Sequence, residues 1–341
     1  MVLFAAMSAY TVPDPPSDGV SCVTFSARNP ELLLACSWDT TVRCYDLSAA
    51  SSPLVASLPQ PSACLATTFA GDDATAVVGS VDGSVRVCRV DGARSGGSGS
   101  ALGAHDAGVR CLCHDEETGL VFSGSWDRTL GAWDPRSASA RVATCSVPGK
   151  VFALDVAPGP TRLVAGTSDR HVLVFDARKL DAPLQHRESS LKHQTRCLRS
   201  FPGGDGFAVS SIEGRVAVEY FADEAQSRKY AFKCHRVGKV VYPVNALAFH
   251  PVHGTFATGG SDGFVNLWDG AHKKRLCQLP QFPTSVAALA FNCDGSKLAV
   301  ASSYCFEEGE KDHPKDEIYV HATRPHEVTP KAQPPPSAAT N

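Results

Sequence analysis

Several signatures of chemistry or membrane insertion are missing from this sequence of 341 residues. No stretch approaches the roughly 18 consecutive apolar residues that a membrane span needs. Residues 2–7 are apolar but too few for a secretory leader, and no Lys or Arg precedes them. There is no His-Glu-x-x-His, and Gly96-Gly97 is followed by no Gly-Lys-Ser/Thr, so neither a zinc hydrolase helix nor a phosphate-cradling loop is expected. The 13 cysteines include no Cys-x-x-Cys pair and are odd in number. They read as reduced thiols filling a core in the cytosol or nucleus, with no disulfide framework, metal or cofactor. Lys233-Cys234-His235 puts a nucleophile beside a base, but neighbours on a strand point to opposite faces and cannot hydrogen-bond. No enzyme is expected.

Charge is also scarce. Charged residues make up 20% of the chain and the net charge is −3, which argues against a general nucleic-acid binder. The distribution is uneven. From Arg170 to Val240 there are 13 Lys/Arg against 8 Asp/Glu, a local +5 that leaves −8 on the remainder. A positive field over one sector suits an acidic or phosphorylated partner. Residues 305–317 carry six acids against two lysines.

What is present is a repeat. Ser37-Trp38-Asp39, Ser80-Val81-Asp82, Ser125-Trp126-Asp127, Thr167-Ser168-Asp169, Ser211-Ile212-Glu213 and Gly260-Ser261-Asp262 each precede a short strand-like run. Three of those runs end in Tyr45-Asp46, Trp133-Asp134 and Trp268-Asp269. The turn acids lie 43, 45, 42, 44 and 49 residues apart. A period of 40–45 residues with Trp-Asp endings is the WD-repeat signature of an all-β propeller, four strands to a blade. A seventh unit follows from Ser285 to Val320, its inner turn stretched by the acidic insertion. It lacks an outer strand, and residues 8–12 are expected to supply one, closing the ring so that no sheet edge stays unpaired. The expected architecture is therefore one seven-bladed β-propeller over residues 8–323. Residues 1–7 are read as a flexible start, 94–100 as a flexible Gly/Ser loop and 324–341 as a disordered Pro-rich tail.

His105 lies 22 residues before Asp127, with Ser123 and Trp133 in the same unit, the composition of a buried hydrogen-bonded row inside a blade. In the sixth unit Thr258, Asp262 and Trp268 have Val240 at the histidine offset, so that row is expected to be incomplete. Trp133 and Trp268 belong to the blade framework. Trp38 and Trp126 instead occupy the turn position before the acid, where other units carry Val81, Ser168, Ile212 and Ser261. An aromatic ring on a propeller rim is a natural interface anchor.

From His186 to Tyr304 the resemblance to one family becomes dense. Its carriers include Gln194-Thr195-Arg196-Cys197, Ile212-Glu213-Gly214-Arg215-Val216, Lys229-Tyr230-Ala231-Phe232-Lys233, Thr258-Gly259-Gly260-Ser261-Asp262 and Lys273-Lys274-Arg275-Leu276-Cys277. These resemble the spindle-assembly-checkpoint WD-repeat family, the third member of the budding-uninhibited-by-benzimidazole set. The resemblance implies a monomeric propeller in hetero-complexes, found in nucleus and cytoplasm and at kinetochores in mitosis. It implies binding of the acidic GLEBS motif of a checkpoint kinase and its pseudokinase relative across the face where Trp38 and Trp126 stand. It also implies docking on phosphorylated Met-Glu-Leu-Thr repeats of a kinetochore scaffold through Arg196, Arg215 and Lys233. An ion pair of Arg215 with Glu213 or Glu219 is the purely structural alternative. The sister propeller of messenger-RNA export, which binds a nucleoporin GLEBS motif, shares His250-Pro251-Val252-His253-Gly254. A ubiquitin-ligase substrate receptor would be expected to carry an adaptor-binding segment ahead of the propeller, for which residues 1–7 are too few.

Overall fold

A computed structural model of the chain describes residues 9–49, 52–91, 99–137, 140–159 and 161–331. The expected flexible start and most of the Gly/Ser loop fall outside these residues, as do the tail beyond Lys331 and Ser8 of the closing strand.

Seven four-stranded antiparallel sheets are strung along the chain. Blade 1 comprises Val20–Phe25, Leu32–Ser37, Thr41–Asp46 and Leu54–Pro59. The first strands of blades 2 to 7 are Cys64–Ala70, Val109–His114, Val151–Ala157, Thr195–Ser200, Val244–Phe249 and Val286–Phe291. These first strands pack against one another around a central channel. Second strands read as continuous apolar or small runs, Leu32–Ser37 and Val121–Ser125 for example, because neighbouring blades cover both of their faces.

Blade 7 takes Val286–Phe291, Lys297–Ser302 and Glu317–Ala322 from one end of the chain and Ala9–Thr11 from the other. The closing strand pairs Ala9 with His321, Tyr10 with Val320 and Thr11 with Tyr319. Val12 then turns inward, wholly buried beside Tyr45 and Ile318, and its N–H donates to the Ile318 carbonyl. Ring closure thus rests on both backbone pairing and apolar burial.

Two expectations need correction. Residues 324–331 are not a disordered tail. Pro325–Val328 form one helical turn, Val328 is buried against blades 6 and 7, and Thr255 Oγ1 donates to its carbonyl at 2.7 Å. His321 Nε2 sits 2.9 Å from Glu327 Oε2 beneath this strap. The row in blade 6 is also complete, with His235 rather than Val240. Arg236–Val237 and Val240–Val241 form a small hairpin outside the blades, which lengthens the histidine-to-aspartate spacing.

Candidate functional site

The turns that carry the two tryptophans are fixed by their own polar residues. In blade 3 the Asp127 N–H donates to Ser125 Oγ at 3.0 Å, and Asp127 Oδ1 accepts from the Thr129 N–H at 2.8 Å and its hydroxyl at 2.6 Å. Blade 1 repeats this with Ser37, Asp39 and Thr41 at 3.0, 2.9 and 2.6 Å. Each tryptophan is then tied by its N–H to the incoming loop, Trp38 to the Gly19 carbonyl and Trp126 to that of Gly108, both at 2.9 Å. Trp126 packs closely on Gly108, where a Cβ would stand 2.8 Å from the ring. Trp38 is 47% exposed.

Behind Asp127 runs the buried row. Trp133 Nε1 donates to Ser123 Oγ at 2.7 Å, Ser123 Oγ lies 2.7 Å from His105 Nε2, and His105 Nδ1 lies 3.1 Å from Asp127 Oδ2. With Nδ1 facing a carboxylate, the proton sits there and Nε2 accepts the serine hydroxyl. Burial pushes the imidazole below its ordinary value, against the pull of Asp127. The row holds up the turn from within the blade.

Every first strand shifts register near its start. The breaks fall between Val20 and Cys22, Cys64 and Ala66, Val109 and Cys111, Val151 and Ala153, Thr195 and Leu198, Val244 and Ala246, and Val286 and Ala288. A bulge re-aims the extra residue. Ser21, Leu65, Arg110, Arg196, Asn245 and Ala287, each at such a break, line one cavity of about 520 Å3 at the channel mouth. Trp38 and Trp126 stand on its rim, with Tyr304, just before the acidic insertion, and Phe306, within it, as a further wall. That insertion is tethered by Ser285 Oγ to Glu307, by Ser303 Oγ to Asp316 Oδ1 at 2.6 Å, and by Tyr304 Oη to the Gly309 carbonyl at 2.8 Å. Phe306 stays 60% exposed at its tip.

Three enclosed polar atoms of this cavity have no partner among the described residues: Trp126 Nε1, Arg196 Nε and Asn245 Oδ1. Burial pushes the Arg196 guanidinium below its ordinary value, and Arg110 repels it further. An acceptor entering here would satisfy donors whose desolvation is already complete.

The candidate phosphate residues divide. Arg215 and Lys233 face one another across the outer strands of blade 5. Arg196 belongs to the channel cavity instead. Arg215 Nε lies 3.4 Å from Glu213 Oε1, so the ion pair is present, and its terminal nitrogens carry no hydrogen bond among the described residues. Glu213 also draws in His193 at 3.5 Å and Arg236 at 3.8 Å. Beside them the small hairpin exposes Val237 (58%) and Val240 (54%). Sequence reasoning missed Arg110, Asn245 and Phe306, because nothing in a linear pattern marks a bulge residue or the direction of an insertion.

Comparison with known proteins adds relatives to this geometry. The WD domain, G-beta repeat, matches residues 8–46, 97–134 and 227–269. The chain is 47% identical over 336 residues to mitotic checkpoint protein BUB3.1 of Arabidopsis thaliana, covering 96% of each chain. It is 45% identical over 325 residues to mitotic checkpoint protein bub3 of Dictyostelium discoideum, covering 92% of this chain and 94% of that one. It is 36% identical over 334 residues to protein RAE1 of Arabidopsis thaliana, covering 96% and 93%.

Proposed function

This chain belongs to the family of mitotic checkpoint WD-repeat proteins, and on that premise we propose that it is a non-enzymatic docking platform of the spindle checkpoint. Its tryptophan-rimmed face holds the acidic GLEBS segment of checkpoint kinases. The basic sector of blade 5 reads a phosphorylated Met-Glu-Leu-Thr repeat and so brings the complex to kinetochores in mitosis.

One observation carries the first half. Trp38, Trp126, Arg110 and Arg196 converge on a single cavity, in which Trp126 Nε1 and Arg196 Nε have no acceptor among the described residues. Aromatic anchors beside guanidinium groups suit a segment that alternates apolar and acidic side chains. The second half is supported by Arg215 and Lys233 standing opposite one another. A phosphate dianion there competes with Glu213 for Arg215 and offers more charge than the carboxylate does.

The export reading, with a nucleoporin GLEBS segment as ligand, is supported by the 36% identity to protein RAE1. Titrating the purified protein with GLEBS peptides from a checkpoint kinase and from a nucleoporin, side by side, separates the two. The checkpoint reading expects the kinase peptide to bind at least about tenfold more tightly. The reverse preference would give the export reading, and binding of neither peptide would remove both.

A further inference from the structure

The channel has a second mouth, at the opposite ends of the first strands, with a cavity of about 320 Å3. Its two arcs differ in chemistry. Phe249, Phe291 and Phe25, from blades 6, 7 and 1, form an apolar arc. His114, Asp155, Arg199 and Ser200, from blades 3 to 5, form a polar one.

The polar arc holds groups the fold does not use. Arg199 donates through Nη1 to the Leu198 carbonyl at 3.2 Å, and the rest of its five donors have no acceptor among the described residues. Burial alone would push this guanidinium down, but acidic neighbours, Asp155 among them, more than offset that and hold it charged. His114 Nε2 is enclosed and has no partner among the described residues, and the enclosed Ser200 hydroxyl lies beside the Asp155 carboxyl. His114 Nδ1 lies 3.4 Å from Glu116 Oε1, so Nδ1 keeps the proton and Nε2 is an acceptor; burial keeps the ring neutral. Asp155 Oδ2 accepts the Ser200 N–H at 2.6 Å, and burial pushes its carboxyl up.

We propose that this mouth is a binding site for a small aromatic carboxylate that also bears a hydroxyl. The carboxylate meets Arg199 and the Ser200 hydroxyl, the ring lies on the phenylalanine arc, and the hydroxyl donates to His114 Nε2. A single guanidinium opposed by Asp155 suits one negative charge, which favours a carboxylate over a phosphate dianion. The cavity is large enough for a small ligand and sets convergent polar groups on one arc against phenylalanines on the other.

The test uses the full chain and three matched probes, 4-hydroxybenzoate, benzoate and 4-hydroxybenzyl alcohol, titrated by saturation-transfer NMR. 4-Hydroxybenzoate is expected to bind best, benzoate about threefold more weakly and the neutral alcohol about tenfold more weakly. Arg199→Met should abolish the advantage of the two carboxylates over the alcohol. His114→Gln should abolish the preference of 4-hydroxybenzoate over benzoate. Ser200→Ala, the least disruptive of the three, should weaken both acids about threefold if Arg199→Met fails to fold. Equal binding of all three probes, binding indifferent to the variants, or no binding up to about 10 mM overturns the proposal.

Discussion

His235 Nδ1 lies 2.8 Å from Asp262 Oδ1, across a separation of 27 residues where the equivalent pair in blade 3, His105 and Asp127, is separated by 22. The remaining links of the row match: His235 Nε2 is 2.7 Å from Thr258 Oγ1, and Trp268 Nε1 donates to the same hydroxyl at 3.0 Å. The extra residues are the small hairpin, which leaves the blade and returns to it, closed by pairing of Arg236 with Val241. Chain length between the partners changed, and the hydrogen-bonded row did not.

Breaking that row should cost stability. Asp262→Ala leaves His235 Nδ1 and the turn it supports without an acceptor, so unfolding free energy should fall by about 1–3 kcal/mol. His235→Ala should cost about as much, and the double variant less than the sum, because both remove one interaction. Urea unfolding of the four proteins measures it. Additive losses would mean the two side chains act separately.

Closure of the ring can be tested by deletion. Removing residues 1–13 takes away Ala9–Thr11 and the buried Val12, exposing Glu317–Ala322 as an unpaired edge. Aggregation, or a melting temperature lower by about 5 °C or more, is expected. Removing residues 1–6 spares the strand and should leave the melting temperature unchanged. A soluble protein of unaltered stability lacking residues 1–13 would contradict the closure.

Acid should weaken blade 3 in a defined window. Burial holds His105 neutral in the fold, below its ordinary value of 6.5. The unfolded chain therefore binds a proton that the fold refuses. The stability this His supports is present above pH 6.5, is lost as pH falls below it, and levels off once pH is below the folded-state value. Asp127 adds a later loss: burial opposes its ionisation, but bonds from Thr129, the Asp106 N–H and His105 outweigh that and hold its carboxyl below 3.8. Urea unfolding at pH 7.5 and pH 5.5 should show a fall that is smaller in His105→Gln. An identical slope in that variant would show that His105 is not the titrating group.

The sequence made the blades, their number and their closure legible because a WD repeat writes its turn chemistry in each period. Ser125, Asp127 and Thr129 are turn residues for a local reason, and local reasons survive in a linear string. The two rim tryptophans were visible for the same reason. Arg110 was not, because its orientation comes from a register shift between Val109 and Cys111 that depends on the partner strand. Val328 was lost in a Pro-rich segment whose order comes from contact with Thr255 in another blade. His235 was hidden by an insertion that altered a count without altering the contact.

The phosphate reading stands on blade 5. Arg215→Glu should abolish the preference for a phosphorylated over an unphosphorylated Met-Glu-Leu-Thr peptide, because it removes a guanidinium and adds a repelling carboxylate beside Lys233. Arg215→Lys should also weaken the phosphopeptide, since an ammonium cannot reproduce the fork. Anisotropy titrations at two salt concentrations should place both losses on the phosphorylated peptide. Unchanged phosphopeptide binding by the Glu variant would make Arg215 only the ion-pair partner of Glu213.

The platform claim is tested most directly by titrating a fluorescent checkpoint-kinase GLEBS peptide into wild-type protein, Trp38→Ala, Trp126→Ala and Trp133→Ala, with melting curves in parallel. Trp38→Ala and Trp126→Ala should each weaken binding by about 2 kcal/mol or more, as truncation of interface anchors does, with little change in melting temperature. Trp133→Ala, a wholly buried ring, should instead lose about 3–5 kcal/mol of stability. GLEBS binding that survives loss of both rim tryptophans in a folded protein would contradict the account.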